Sequence, residues 1–209
     1  MEALLLDDDA SLAEAAALFG EMARRDPTYE GDRATALLLR ASAQQDLAER
    51  LEPSSHADAD VAAERETLLR EAARLVREGS AAADAAVQRR PDEVAALRAM
   101  ALAAALTSGN PARWLRDAQR RAPDDALVAC AVAIAELGSG QSAAAQDRAF
   151  AALARAHNAE PRLLRAQVDA AALALDRRDL AFARSALQRV VEANPRHERA
   201  KALLSLASR

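Results

Sequence analysis

Histidine, cysteine and clustered aspartate are the residue types in this sequence that could bind a metal ion or act as a nucleophile. The three histidines, His56, His157 and His197, are far apart, and none has a second ligand at the spacing of a zinc site. Cys130, the single cysteine, lies in the apolar run LVACAVAIA, where no histidine is placed to act as its base. We therefore interpret Cys130 as a small apolar side chain, and we predict no metal, no cofactor and no catalytic residue.

Three consecutive aspartates, Asp7 to Asp9, precede a helix that is predicted to begin near Ser11. Carboxylates at this position favour a helix N-terminus because they face its partial positive charge. A metal site is the weaker interpretation, since three adjacent side chains point in different directions. The sequence also contains no dinucleotide-binding glycine motif, P-loop, nucleophile elbow or HExxH motif. These observations indicate a protein that is not an enzyme.

The composition predicts an all-α protein. Hydrophobic residues make up 51% of the chain but aromatic residues only 2%, and alanine accounts for more than a quarter of all residues. Alanine and leucine have the highest helix propensities, whereas the β-branched and aromatic residues that fill a pleated sheet are scarce. A core of this kind suits close contact between helices.

The distribution of charge argues against several classes of partner. The net charge is −4 with acidic and basic residues interspersed, which does not favour a nucleic-acid-binding surface. No apolar run is long enough for a direct membrane span. The start MEALLLDDDA lacks the basic region of a signal peptide, so we expect a cytoplasmic protein, or a periplasmic one if the chain is a fragment of a longer exported protein. All basic residues except Lys201 are arginine, a bias typical of GC-rich bacterial genomes.

A spacing of small and large apolar residues ahead of a proline recurs along the chain. It is found in Ala15, Phe19, Met22 and Pro27; in Ala149, Leu153, Ala156 and Pro161; and in Ala183, Leu187, Val190 and Pro195. The first three members of each set share one face of a helix, and the proline falls beyond the helix end, where it cannot continue the helix. We expect Ala149 and Ala183 to be close contacts between helices, and Ala166 to lie on a less constrained face.

The pattern resembles the tetratricopeptide repeat (TPR) family, whose unit of about 34 residues forms two antiparallel helices. Pro161 and Pro195 are 34 residues apart, and Ala133 and Ala171 match the small residue of the first helix of a unit. The resemblance is strongest over residues 91–209. It implies one domain over residues 1–209, a right-handed α-solenoid of about ten to twelve helices.

The capping residues and the hydrophobic periodicity place the individual helices. We predict them over residues 2–6, 10–25, 31–51, 58–78, 81–90, 92–108, 111–121, 125–138, 142–157, 161–176, 180–192 and 196–207. The polar stretch EPSSHADAD, which contains proline and serine, predicts an irregular junction at 52–60.

The family resemblance also implies a concave groove that is lined by first-helix positions and binds a partner. The positions carried over from it are Arg98, Leu102, Cys130, Ile134, Leu137, Arg165, Val168, Ala172 and Leu175. Because most of them are apolar, we expect an apolar or amphipathic segment, a helix, as the ligand, with Arg98 and Arg165 pairing with its acidic residues. The alternative is that the chain itself or a neighbouring copy buries these positions.

The expected function is that of a non-enzymatic protein–protein interaction scaffold for a protein or peptide partner. The alternative is a structural or assembly module, which self-associates as a homo-oligomer or forms one domain of a larger bacterial complex. We expect neither nucleic acid nor a cofactor as a ligand.

Overall fold

A computed structural model describes residues 2–51, 59–140 and 142–208 of the chain. Within these ranges the secondary structure is helical throughout, with eleven α-helices, one 3-10 turn at Pro27–Tyr29 and no strand. The helices are α1 Glu2–Leu6, α2 Asp9–Arg25, α3 Glu30–Arg50, α4 Ala59–Arg89, α5 Val94–Leu106, α6 Ala112–Arg121, α7 Ala126–Gly138, α8 Ala143–Ala159, α9 Leu164–Asp176, α10 Leu180–Ala193 and α11 Glu198–Ala207. The all-α class predicted from composition is confirmed for the described part of the chain.

Polar caps set most helix starts in the second half of the chain. The side chains of Asp125, Ser142 and Asp179 accept hydrogen bonds from backbone N–H groups in the first turns of α7, α8 and α10. Each cap satisfies a donor that the helix itself cannot. Helices α8 and α10 end two residues before Pro161 and Pro195, as the repeat pattern predicts.

Successive helices pack against one another, and alternate helices also meet. Helix α5 contacts α3, α6 and α7, and helix α9 contacts α8, α10 and α11. Ala149 and Ala183 are completely buried in these contacts, as expected. Ala166 is only 1% exposed, so our assignment of it to a less constrained face is wrong.

The helix α4 is longer than the sequence suggested. A break was predicted between residues 78 and 81, but α4 runs unbroken through Gly79. This glycine serves the packing of α4 on α3: a Cβ atom at Gly79 would lie 2.7 Å from Cγ of Leu38. The glycine therefore marks a close approach of two helices and not a helix end.

Helix α3 is buried around most of its circumference. Between Gly31 and Ala41 it buries eight residues, and it contacts α2, α4 and α5. A helix that is buried on several sides lies inside a fold and not on its surface. Gly31 allows α5 to come close, because a Cβ atom there would lie 2.6 Å from the carbonyl carbon of Ala95.

The predicted irregular junction at 52–60 falls mainly outside the described residues. Residues 52–58 are not described, and the last two positions of the predicted junction, Ala59 and Asp60, belong to the first turn of α4.

Candidate functional site

The nine residues predicted to line a groove lie mostly inside the protein. Six are buried by the chain itself: Arg98, Leu102, Cys130, Arg165, Val168 and Ala172. The other three, Ile134, Leu137 and Leu175, are partly buried, and each packs against a hydrophobic cluster of the core. The expectation of an open groove is therefore corrected: the chain's own helices cover this surface.

Arg98 is held by three side chains of its own chain. Its Nε donates to Thr35 Oγ1 at 3.1 Å, and its Nη2 donates to Asp32 Oδ1 at 2.6 Å, both on α3. Its Nη1 lies 3.4 Å from Oδ2 of Asp125, the cap of α7. Arg98 thus joins α3, α5 and α7, and it is not available to flank a partner.

Arg165 is buried to the same degree and also points at α3. Its Nη1 donates to the carbonyl oxygen of Leu39 at 2.9 Å, and its Nη2 donates to Ser42 Oγ at 2.8 Å. Its Nε donates to Asp169 Oδ2 at 2.8 Å, one turn further along α9. Both arginines of the predicted groove therefore bind α3, which accounts for their burial.

The short helix α1 occupies the space where two hydrophobic clusters meet. We call the cluster formed by residues of α1 to α7 the N-terminal cluster, and the cluster formed around α7, α8 and α9 the middle cluster. Leu4 belongs to the N-terminal cluster and is 1% exposed, while Leu5 packs against the middle cluster, which contains Cys130. An apolar segment therefore fills this position, and it belongs to the chain itself.

The residues that follow α1 are fixed by polar groups near the other end of the chain. Nδ2 of Asn194 donates to the carbonyl oxygen of Leu6 at 3.3 Å and to Oδ2 of Asp8 at 2.8 Å. The buried carboxylate of Asp7 lies 3.3 Å from Nη1 of Arg165 and 3.7 Å from Nε2 of His197. We call the surroundings of Leu4, Leu5 and Asp7 the α1 seat.

Charged side chains of alternating sign continue from the buried α1 seat toward the surface of the protein. In order, this Asp–Arg chain consists of Asp7, Arg165, Asp169, Arg199, Asp46, Arg50 and Asp176. Its contacts connect α3, α9 and α11, and the distances from Asp169 onward lie between 2.7 and 3.0 Å. Such alternation lets each buried charge be compensated on both sides.

The electrostatics of the α1 seat favour a carboxylate. Burial by itself would raise the pKa of Asp7, but the charge of Arg165 and the nearby imidazole of His197 outweigh it, so the pKa lies below its ordinary value. Burial likewise opposes the charge of Asp46, yet the guanidinium groups of Arg199 and Arg50 lower its pKa. The seat thus binds an ionised carboxylate at neutral pH.

His197 has a structural role at this site. Its Nδ1 accepts a hydrogen bond from the backbone N–H of Ala200 at 3.3 Å and so caps α11. Its other ring nitrogen, Nε2, faces Oδ2 of Asp7 at 3.7 Å. Among the described residues neither of these two atoms has a hydrogen-bond partner.

Cys130 is not activated as a nucleophile. Burial raises the pKa of its thiol, and the nearby carboxylate of Asp169 raises it further. The thiol form is inert at neutral pH. In the described part of the chain no cluster of three metal-ligating side chains is found, and no helix there is long and apolar enough to cross a membrane.

Sequence reasoning missed Asp7, Asp169 and Arg199 as members of this site. We interpreted the three aspartates as caps, and this holds for Asp8, whose side chain accepts from the backbone N–H of Ser11 at 2.9 Å. It is wrong for Asp7, which is buried as an ion. A signal for Arg199 was present: it lies 34 residues after Arg165, which is also the spacing of Pro161 and Pro195.

Comparison of the chain with protein-family models, with curated proteins and with solved structures gave no match.

Proposed function

We propose that the chain is a non-enzymatic protein–protein interaction scaffold, a TPR-like right-handed α-solenoid whose inner surface holds a short apolar helix followed by a carboxylate. The contacts of alternate helices with one another, α3 with α5, α5 with α7 and α9 with α11, support a stack of helix pairs. The ligand proposed for this stack is a segment of a protein or a peptide. In this structure, α1 occupies the position of that segment.

The seating of α1 is the observation that carries this proposal. Two adjacent leucines enter apolar clusters, and an aspartate two residues later meets Arg165 and His197. Full burial of one leucine side chain contributes about 1.5–3 kcal/mol, and a carboxylate with a charged partner adds specificity for position. The same surface would recognise a partner segment with two apolar side chains and an acidic residue at this spacing.

The remaining polar groups of the seat support binding and not chemistry. His197 is committed to the cap of α11, and Arg165 donates to four partners within the chain. Such fixed donors form a rigid receptor for a carboxylate. The net charge of −4 supports a protein partner over a nucleic acid.

A peptide with the sequence of residues 2–10, EALLLDDDA, tests the proposal. In the wild-type chain α1 competes at an effective concentration in the millimolar range, so we expect weak binding of the labelled peptide. Replacement Leu4→Asp in the full chain should release α1 and tighten binding of the peptide by about tenfold or more, as measured by fluorescence anisotropy.

Matched control variants distinguish the release of α1 from a general loss of stability. Leu6 is 36% exposed, so Leu6→Asp should leave α1 in place and peptide binding weak. Peptides that carry Leu4→Asp or Asp7→Asn should fail to bind the Leu4→Asp chain. If that chain keeps its helical circular dichroism spectrum but binds all three peptides alike, or none, the proposed function is wrong. If Leu4→Asp unfolds the chain, the milder Leu5→Ala replaces it, with the same expectation for the three peptides.

A further inference from the structure

The polar side of the α1 seat is built by residues that are remote from α1 in the sequence, while α2, the next helix, also packs against α1. Arg165, Asn194 and His197 hold residues 6–8 from positions more than 150 residues away. The chain connects α1 to the rest of the protein through a link of two residues, Asp7 and Asp8, which leads into α2. Nothing in the seat itself therefore distinguishes the α1 of its own chain from that of a second copy.

The link between α1 and α2 reverses a helix that the sequence could otherwise continue. Asp7 has a left-handed backbone with φ 51°, which is uncommon for a residue other than glycine, and Asp8 is extended. With helical angles at these two residues, α1 and α2 would form one helix over residues 2–25. The fused helix would gain backbone hydrogen bonds across the link, whereas α1 alone, with five residues, is too short to be stable without its seat.

Fusion of the two helices would carry α1 away from its own seat and leave the seat vacant. We propose that two copies of the chain exchange α1, so that Asp7 of each copy is held by Arg165 and His197 of the other. The contacts of Leu4, Leu5 and Asp7 with the seat re-form between the copies in the exchanged dimer, whereas the cap that Asp8 provides for Ser11 and its contact with Asn194 are given up. In return the left-handed residue is relieved, and short strained links favour such exchange. This inference rests on the proposed function, because it names a second copy as the partner of the same site.

Light scattering of the full chain after size-exclusion chromatography, over a range of concentrations, tests the exchange. We expect a monomer at low and a dimer at high concentration. Insertion of two glycines between Asp7 and Asp8 should weaken dimerisation by about tenfold or more, because a longer link lets α1 return to its own seat. The same insertion between Pro123 and Asp124, in the turn before α7, serves as the matched control and should leave the dimer unchanged.

An excess of the EALLLDDDA peptide should also reduce the dimer, since it competes for the vacated seat. A chain that stays monomeric up to its solubility limit overturns the exchange, and so does a dimer that responds to neither the Asp7–Asp8 insertion nor the peptide. The two proposals fail separately. Peptide binding by the Leu4→Asp chain without any wild-type dimer contradicts the exchange alone, whereas absence of peptide binding contradicts the proposed function.

Discussion

At the scale of single residues, the protein places ionised side chains where its composition led us to expect alanine and leucine. Arg165 is 1% exposed and lies between Asp7 and Asp169, which are also buried. Compared with a well-packed apolar core, such contacts add little to the free energy of unfolding. The removal of one partner, however, leaves a buried charge without compensation. Here Arg165 joins α9 to the residue after α1 by its ion pair with Asp7, and to α3 by hydrogen bonds to Leu39 and Ser42.

Replacement of Arg165 by leucine should therefore be strongly destabilising. We expect a loss of roughly 3–5 kcal/mol in the free energy of unfolding, measured by urea denaturation, because Asp7 and Asp169 lose a shared partner. The exposed Arg189, which donates to Ser185 on its own helix, provides the control, and Arg189→Leu should change stability by about 0.5 kcal/mol or less. In the background of Asp7→Asn the cost of Arg165→Leu should fall by about 1 kcal/mol; strict additivity would show that the two residues do not interact.

The lowered pKa of Asp7 makes stability depend on pH in the acidic range. The unfolded chain takes up this proton near the ordinary aspartate pKa of about 3.9, whereas the folded protein resists it. The contribution of the ionised Asp7 to the free energy of unfolding is therefore complete above this pH. It is lost as the pH falls toward the lower pKa of Asp7 in the folded state. Asp7→Asn should flatten the pH dependence of the unfolding free energy below about pH 4. A slope in this variant equal to that of the wild-type chain would contradict an ionised Asp7 in the folded state.

At the scale of elements, close approach of helices depends on residues without a bulky side chain. Gly31 lets α3 meet the backbone of α5, and Gly79 lets α4 meet Leu38. Most helix bounds could be predicted from the sequence, because caps such as Asp125 and the prolines that follow α8 and α10 act locally. The unbroken α4 could not be predicted, because Leu38, the residue that requires a glycine at position 79, lies on a different helix.

Replacement of Gly31 by alanine tests the close approach of α3 and α5. The added Cβ would lie 2.6 Å from backbone atoms of Ala95, so the two helices must separate, at a cost of roughly 1–3 kcal/mol in unfolding free energy. Gly20 is the matched control inside α2: its nearest neighbours are side-chain atoms of Arg33 at 3.4 Å, and Gly20→Ala should stabilise by about 0.5–1 kcal/mol. Thermal unfolding of both variants, followed by circular dichroism, measures the difference. A stabilising Gly31→Ala would mean that the packing of α3 on α5 is looser than described.

At the scale of the whole molecule, contacts between distant parts of the chain decide which side chains are covered. The spacing of Ala149, Leu153 and Pro161 predicted helices, and the family resemblance implied a groove, but neither could predict that α1 and α3 contact the groove positions. The contacts of Asp7 with Arg165 and of Asn194 with Leu6 span 158 and 188 residues, and no local pattern encodes such pairs. The segment that occupies the α1 seat belongs to the chain itself and consists of a short apolar helix followed by Asp7.

The labelling rate of Cys130 by a thiol reagent in the native protein tests most directly whether α1 is a displaceable ligand. Cys130 is the single thiol, is completely buried, and belongs to the middle cluster against which Leu5 packs. If α1 leaves its seat by a local opening, labelling will depend only weakly on low concentrations of urea, will exceed the rate set by global unfolding, and will accelerate in Leu5→Ala. Labelling that follows global unfolding, with the same dependence on urea and no specific response to Leu5→Ala, would contradict the account, because α1 would then be a fixed part of the core.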